Sequence, residues 1–165
     1  MPTIVDHQIT ALANRREMIS PFRPEQVNPA SYDVRLGDYI KVETRDGWVE
    51  QFIDKSTYNM TPGQFVLAYT EEIIRIPENL ECIFQLKSSR GREGYEHALA
   101  GYIDPGFYGQ VTLELSNLNR YHSLPLYKGL LIGQLRFARL DTTPDRTYAQ
   151  TGRYHLDMGA QTSKG

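Results

Sequence analysis

Side chains that could bind a ligand or take part in catalysis are concentrated in three neighbouring segments of the chain. Residues 87–92 read Lys-Ser-Ser-Arg-Gly-Arg, residues 100–107 read Ala-Gly-Tyr-Ile-Asp-Pro-Gly-Phe, and residues 113–115 read Leu-Glu-Leu. Together they supply hydroxyls, cations, a tight turn, aromatic rings and two carboxylates. A hairpin that serves only the fold rarely needs this mixture. The segments therefore predict a site that attracts an anion and carries a group for acid–base chemistry.

The strand-like segment 110–116 places one carboxylate among polar neighbours. Because side chains alternate along a strand, its aliphatic residues share one face, and the other face carries Gln110, Thr112, Glu114 and Ser116. Two interpretations of Glu114 stay open. It is either a solvated carboxylate on an outer face or a general base in a pocket, where burial raises the pKa of a carboxyl toward the working range.

The hydroxyls and cations of residues 87–92 follow an apolar strand pattern. One interpretation is a Ser-Ser turn with an exposed arginine. In the other, Ser88 and Ser89 orient a water or a phosphate, and Arg92 supplies a planar fork of donors. Lys87 and Arg90 would then add the local positive charge that an anionic ligand needs.

The sequence Asp104-Pro105-Gly106 has the composition of a tight turn. The turn could simply reverse the chain. Alternatively, Asp104 and Phe107 lie close enough to bind a sugar, with the carboxylate accepting a hydroxyl hydrogen bond and the ring packing on the sugar face. Residue types alone leave both interpretations open.

Composition limits the classes of protein to consider. The chain has 165 residues, 40% of them hydrophobic, which suits a single globular domain. A net charge of −2 gives no global basic surface for nucleic acid. The first residues lack the pattern of a signal peptide, and no apolar run approaches membrane-spanning length. We therefore expect a cytoplasmic protein that binds neither nucleic acid nor membrane.

Cysteine and histidine usage argues against a thiolate metal site. Cys82 is the single cysteine, so neither an intramolecular disulfide nor a thiolate-rich zinc site can form. Its apolar neighbours predict that Cys82 is buried and inert. The four histidines show no metal-ligand spacing.

The order of strand and turn signals predicts an all-β fold. A short helix begins near Asp6 and ends before Pro21. Strand patterns then follow, with an Asp46-Gly47 hairpin turn, over residues 39–44, 48–53, 64–69, 80–86, 110–115 and 130–137. This pattern favours a barrel or a sandwich. The polar stretch 141–165 is either a frayed tail or a segment ordered by a ligand.

Taken in order, these motifs resemble those of the dCTP deaminase family, within the superfamily shared with trimeric dUTPases. Residues 88–92 are similar to its Ser-Ser-x-x-Arg motif, and residues 100–109 with Leu113-Glu114 are similar to its second motif. Further similarity covers residues 28–37, 125–129, 132–135, Tyr148 and Arg153-Tyr154.

The resemblance implies a distorted β-barrel, jelly-roll-like dUTPase-type fold with a short N-terminal helix. It implies one domain over residues 1–165, whose tail, residues 141–165, closes over the nucleotide. It also implies a homotrimer with sites between subunits, and hydrolytic deamination of dCTP to dUTP and ammonia, feeding dUMP and dTTP synthesis. No catalytic zinc is expected, because zinc-dependent cytidine deaminases need more than one cysteine.

The resemblance also implies roles for the catalytic residues. Glu114 would take a proton from a water and return protons to N3 and the leaving amine. Ser88 and the backbone carbonyl of Ala100 would hold that water. Arg92 would support the arrangement of Ser88 and Glu114 and contact the nucleotide.

The same resemblance implies roles in nucleotide binding. Asp104 would bind the sugar 3′-hydroxyl, and Phe107 would pack under the deoxyribose. The phosphates would be held by Lys87, Ser89, Tyr148 and Arg153, with Mg²⁺ bound through the triphosphate.

The chain departs from the family pattern in three places. Leu99 stands where the family commonly has Thr, and the segment 92–104 is one residue short. Inhibition by dTTP, which this loop governs in the family, therefore stays open. Asp157 stands among the substrate-binding residues where the family tends to have Gln. Because a carboxylate near a triphosphate is unfavourable, we predict that Asp157→Gln tightens nucleotide binding.

Several alternatives stay open from the sequence. One is a bifunctional enzyme that converts dCTP to dUMP and pyrophosphate, or a plain dUTPase, since Asp104 could activate water for attack on the α-phosphate. A substrate with fewer phosphates or a modified base is another. The most distant is a non-catalytic nucleotide-binding module.

Overall fold

The computed structural model describes residues 2–165, without the side chain of Arg16. Its helices are α1 (Asp6–Arg16), α2 (Ser88–Glu93) and α3 (Tyr148–Thr151), and a 3₁₀ turn covers Pro24–Gln26. Its strands are β1 (Ile19–Ser20), β2 (Val27–Asn28), β3 (Ser31–Arg35), β4 (Tyr39–Thr44), β5 (Gly47–Phe52), β6 (Tyr58–Met60), β7 (Phe65–Arg75), β8 (Leu80–Leu86), β9 (Tyr95–Glu96), β10 (Tyr102–Ile103), β11 (Tyr108–Asn117), β12 (Leu124–Leu126) and β13 (Leu131–Arg139). The all-β prediction is confirmed. None of the helices in this described part of the chain has the length and apolar character to cross a membrane.

Two antiparallel sheets share one hydrophobic core. The first has the order β5-β4-β7-β11-β9, with β1 also paired to β7, and the second has the order β10-β8-β13-β3-β2. Strands β6 and β12 form a separate pair. Core residues such as Leu113 and Leu115 come from the first sheet, and Tyr32 and Phe84 come from the second. Cys82 is buried in the same core, as predicted.

Helix α1 forms where the sequence predicts it. It begins at Asp6, with Val5 at the N-cap, and buries Ile9 and Ala13 against the core. It ends at Arg16, earlier than Pro21 requires. Glu17 has φ of 49°, a left-handed conformation that ends the helical hydrogen-bond pattern.

The β4–β5 hairpin is offset by one residue from its predicted turn. Thr44 pairs with Gly47, so Arg45 and Asp46 are the two turn residues. Gly47 begins the second strand with φ of 115°, a conformation that glycine adopts at little cost. The hairpin lies at the edge of the first sheet, and all of β5 is exposed.

Residues 88–92, for which a Ser-Ser turn is one of the two interpretations of the sequence, lie in the short helix α2. The helix follows β8 directly and ends at Gly94, which has φ of 104°. A side chain at position 94 would collide with Asn119, because its Cβ would lie 2.5 Å from Asn119 Nδ2. Glycine therefore allows the chain to leave the helix at this point.

The segment 141–165 packs against the first sheet. Ala160 is fully buried in a second hydrophobic cluster with Leu67 and Tyr69, on the face of the sheet opposite the main core. The Gln161 N–H donates to Thr112 Oγ1 at 3.0 Å, and the Ala160 N–H donates to Tyr39 Oη at 3.2 Å. The tail thus covers the polar face of β11.

Candidate active site

A cavity of about 480 Å³ lies between the polar face of β11, the 100–107 segment and the tail. Six predicted site residues line it: Ala100, Asp104, Phe107, Glu114, Tyr148 and Asp157. Residues that sequence reasoning did not assign to the site also line it, including Trp48, Phe65, Tyr154, Gln161, Thr162 and Ser163.

Glu114 occupies the cavity floor because of its register in β11. It pairs across the sheet with Leu67 on β7, while Leu113 and Leu115 point into the core. The predicted alternation of this strand is confirmed, and Glu114 is half-buried beneath the tail rather than solvated. Burial raises the pKa of the Glu114 carboxyl above its ordinary value. Among the side chains and backbone groups that the structure describes, no other residue donates a hydrogen bond to this carboxylate.

The turn after β10 brings Asp104 and Phe107 to the same cavity. The Phe107 N–H donates to the Asp104 carbonyl at 3.2 Å, and the N–H of Gly106, whose φ is 84°, donates to the Ile76 carbonyl at 3.1 Å. Asp104 is partly buried, which raises the pKa of its carboxyl. The ring of Phe107 is buried against Tyr148, with ring centroids 5.7 Å apart.

Ala100 follows two residues with unusual backbone angles. Ala98 and Leu99 have φ of 55° and 57°, which are uncommon for residues with a side chain. Leu99 is 86% exposed and does not line the cavity. The side chain that departs from the family pattern therefore faces solvent, while the neighbouring Ala100 reaches the site.

The tail is tied to the turn and to β11 by backbone hydrogen bonds. The Tyr148 N–H donates to the Pro105 carbonyl at 2.9 Å, and the Gln110 N–H donates to the Asp157 carbonyl at 3.0 Å. These bonds hold the two predicted tail residues at the cavity. The side chain of Asp157 forms an ion pair with Lys164. Arg153 is exposed and lies outside the cavity lining.

The other predicted residues lie away from this cavity. Ser88, Ser89 and Arg92 are exposed on α2 and do not contribute to the lining. Lys87, at the N-cap of α2, forms an ion pair with Asp33, which also accepts a hydrogen bond from the Asn28 amide at 2.8 Å. Within one chain, most predicted site residues therefore lie in two places, the cavity and helix α2 with its N-cap, and Arg153 lies in neither.

The two places have opposite charge. Asp104, Glu114 and Asp157 line the cavity, and among the described residues of its lining none is a lysine or arginine. Helix α2 carries Arg90 and Arg92, of which Arg90 pairs with Glu93 at 2.8 Å. An anionic ligand in the cavity would need cations from outside its lining.

Within residues 2–165 no cluster of three or more His, Cys, Asp or Glu side chains has the arrangement of a metal site. In proteins, Mg²⁺ commonly binds through one or two carboxylates, waters and substrate phosphates.

Known proteins share both the sequence pattern and the fold. Residues 3–140 match the family model described as dCTP deaminase-like. A curated relative from Aquifex aeolicus, named "dCTP deaminase, dUMP-forming", is 36% identical over 171 residues, covering 96% of this chain and 92% of the relative. A relative of the same name from Streptomyces coelicolor is 38% identical over 170 residues, covering 92% of this chain and 88% of the relative.

Solved structures show the same fold at lower sequence identity. The 2′-deoxycytidine 5′-triphosphate deaminase from Agrobacterium tumefaciens has a TM-score of 0.71 at 21% identity. The match covers 84% of this chain but 48% of the Agrobacterium chain, so this chain corresponds to about half of that length. A mutant dUTPase from phage phi11 of S. aureus, described as coordinating a structural Mg(II) ion, has a TM-score of 0.53 at 15% identity, covering 77% of this chain and 87% of the dUTPase.

Proposed function

The chain belongs to the dCTP deaminase-like family. We propose that it removes the amino group of dCTP by hydrolysis, with Glu114 as the general base. The observation that carries this proposal is the half-buried Glu114 in a cavity shared with Asp104 and Phe107. A carboxylate, a sugar-binding pair and a nucleotide-sized cavity meet there. The names of the curated relatives support dCTP as the substrate.

In the first step Glu114 acts as a general base. It takes a proton from a water whose oxygen attacks C4 of cytosine, and passes this proton to N3. Glu114 then takes the second proton of that water from the C4 hydroxyl of the tetrahedral intermediate and passes it to the amine, so that the C4–N4 bond breaks and ammonia leaves. Burial raises the pKa of the Glu114 carboxyl, which makes its carboxylate a stronger base for the first transfer. Ser88 and the carbonyl of Ala100 would hold the water.

The turn residues would hold the sugar. Asp104 would accept a hydrogen bond from the 3′-hydroxyl, and the ring of Phe107 would pack under the deoxyribose. The contact of Phe107 with Tyr148 supports this role, because it leaves the ring little freedom to move aside for a 2′-hydroxyl.

The remaining residues would come from a second copy of the chain. Ser88, Ser89 and Arg92 are exposed and lie outside the acidic cavity, which supports a homotrimer whose sites lie between subunits. Arg92 would then contact the nucleotide and support the pairing of Ser88 with Glu114. The phosphates would be bound by Lys87, Ser89, Tyr148 and Arg153, with Mg²⁺ bound through the triphosphate. A role for dTTP as inhibitor stays a prediction.

A second hydrolytic step is favoured by the names of the curated relatives, which end in "dUMP-forming". Asp104 would activate a water for attack on the α-phosphate, the bond from the α-phosphorus to the bridging oxygen would break, and pyrophosphate would leave. Burial raises the pKa of the Asp104 carboxyl, which makes its carboxylate a stronger base for this step. Of the alternatives left open by the sequence, the bifunctional enzyme therefore has the stronger support.

The test is incubation of the purified protein with dCTP, dUTP or dCMP and Mg²⁺, with products separated by anion-exchange chromatography. We expect dCTP to give dUMP, pyrophosphate and ammonia, and Glu114→Gln to lose ammonia release. Accumulation of dUTP would limit the enzyme to deamination. Turnover of dUTP alone would make it a dUTPase, and no product from any nucleotide would overturn the proposal.

A further inference from the structure

The acidic cavity has a cation at its edge. Lys164 follows the run 161–163, whose residues all line the cavity, and its ammonium pairs with Asp157. The nucleotide proposed above carries several negative charges at neutral pH. Such a ligand would meet Asp104, Glu114 and Asp157 on the lining, so the position of Lys164 affects how strongly its phosphates are repelled.

Backbone and side-chain contacts hold Lys164 in this position. Its N–H donates to Tyr154 Oη at 2.9 Å, and its ammonium lies 5.1 Å from the centroid of the same ring. Tyr154 itself lines the cavity, and its own N–H donates to Tyr148 Oη at 3.1 Å. The cation is thereby connected to the two tail tyrosines rather than extended into solvent.

The ammonium retains hydrogen-bonding capacity. A lysine has three N–H donors. Two are used within the described chain, one by the Asp157 carboxylate and one by the Arg153 carbonyl at 2.9 Å. The side chain is 39% exposed, which leaves part of it open to a ligand.

We propose that Lys164 is a phosphate-binding residue of the nucleotide site, held at the cavity by Asp157. This inference rests on the proposed function for the identity of the ligand. Asp157 anchors the cation, and Lys164 neutralises the carboxylate that would otherwise oppose the phosphates. The pair adds a hydrogen-bond donor to the site without adding net negative charge.

Substitutions at both positions separate this role from simple tail packing. The variants are Lys164→Met, Lys164→Arg, Asp157→Asn, and the double variant that combines Lys164→Met with Asp157→Asn. Lys55→Met is the control, at an exposed lysine outside the cavity lining. Affinities for deoxycytidine, dCMP, dCDP and dCTP are measured from the fluorescence of Trp48. It is the only tryptophan in the chain and lines the cavity, so this readout does not depend on turnover.

We expect Lys164→Met to weaken dCTP binding about tenfold, the scale of one charge-assisted hydrogen bond near the surface. The loss should shrink with each phosphate removed and vanish for deoxycytidine. Lys164→Arg should retain dCTP affinity, and the double variant should bind dCTP better than Lys164→Met, since it removes the unpaired carboxylate. Lys55→Met should bind every nucleotide as the wild type does.

An equal loss of affinity for all four ligands would overturn the proposal, because it would assign Lys164 to tail packing alone. Unchanged dCTP affinity in Lys164→Met would overturn it as well. Failure of the proposed function is a separate result, seen as wild-type protein that binds nucleotide but releases no ammonia from dCTP.

Discussion

The cavity beneath the tail and the helix α2 differ in the charge and the exposure of their predicted site residues. The cavity holds carboxylates and aromatic rings, with Glu114 on a strand fixed by sheet register. Helix α2 has exposed hydroxyls and the exposed cation Arg92 on one short helix. A single chain thus presents a cavity lined by carboxylates without lysine or arginine among its described lining residues, and a cationic helix that lies outside that cavity.

The largest expected effect is in the cavity. Glu114→Gln keeps the size of the side chain but removes the base, so we expect kcat for ammonia release to fall about 10²- to 10⁴-fold. Nucleotide affinity should change little, because other residues are proposed to bind the sugar and the phosphates. Rates are measured by coupled ammonia detection, and affinity from Trp48 fluorescence. Retained turnover would place the base at another residue.

The second prediction concerns the opposite region. Arg92→Ala should lower kcat/KM by about ten- to a hundredfold, the effect of losing hydrogen bonds from a charged group. Its thermal midpoint should stay near that of the wild type, because Arg92 is exposed in the single chain. A large loss of activity with an unchanged thermal midpoint would support a functional role for the exposed helix α2. A loss of activity accompanied by unfolding would count against that role.

The third prediction separates the two hydrolytic steps within the cavity. Asp104→Asn should accumulate dUTP from dCTP, because deamination retains Glu114 while the second step loses its base. KM for dCTP should rise about tenfold or less through the weaker sugar contact. Time courses by anion-exchange chromatography measure both. Equal loss of dUTP and dUMP formation would contradict separate roles for the two carboxylates.

The fourth prediction follows from burial of Glu114. A general base must be deprotonated, and burial raises the pKa of this carboxyl, so activity should fall as the pH decreases through the raised pKa. The acidic limb of kcat/KM should therefore lie above pH 4.5, the ordinary value for glutamate. A limb at or below that value would show that Glu114 is not the group that titrates.

The smallest expected effect is at the cavity edge. Asp157→Gln removes a carboxylate from the lining but keeps an amide oxygen that can accept a hydrogen bond from the Lys164 ammonium, so dCTP affinity should increase about two- to fivefold. Titration at low and high salt measures the gain, which should decrease with added salt. Weaker binding would mean that Asp157 acts chiefly as the anchor of the tail.

Local patterns were sufficient to predict the cavity floor and the turn. The alternation of residues 110–116 depends only on the period of a strand, and it assigned Glu114 to the correct face. The composition of Asp104-Pro105-Gly106 depends only on turn geometry, and Gly106 adopts the positive φ of such a turn. Both features are decided by neighbours in sequence.

Long-range packing determined what the sequence could not predict. Ala160 is buried only because Leu67 and Tyr69 lie on the outer face of a strand far away in sequence. The tail that this packing holds also contains the ion pair of Lys164 with Asp157. Trp48 belongs to an exposed edge hairpin, and no local pattern distinguishes it from an ordinary surface residue. Its contact with Phe65, with ring centroids 5.9 Å apart, connects it to the cavity.

The most direct test of the two-region account is complementation between inactive subunits. Glu114→Gln and Arg92→Ala chains are co-expressed with different tags, and mixed oligomers are purified through both tags. If the sites lie between subunits of a trimer, each mixed trimer contains one intact pairing of three, and activity should return to about a third of wild type. Mixed oligomers no more active than the two parents would contradict a site shared between copies.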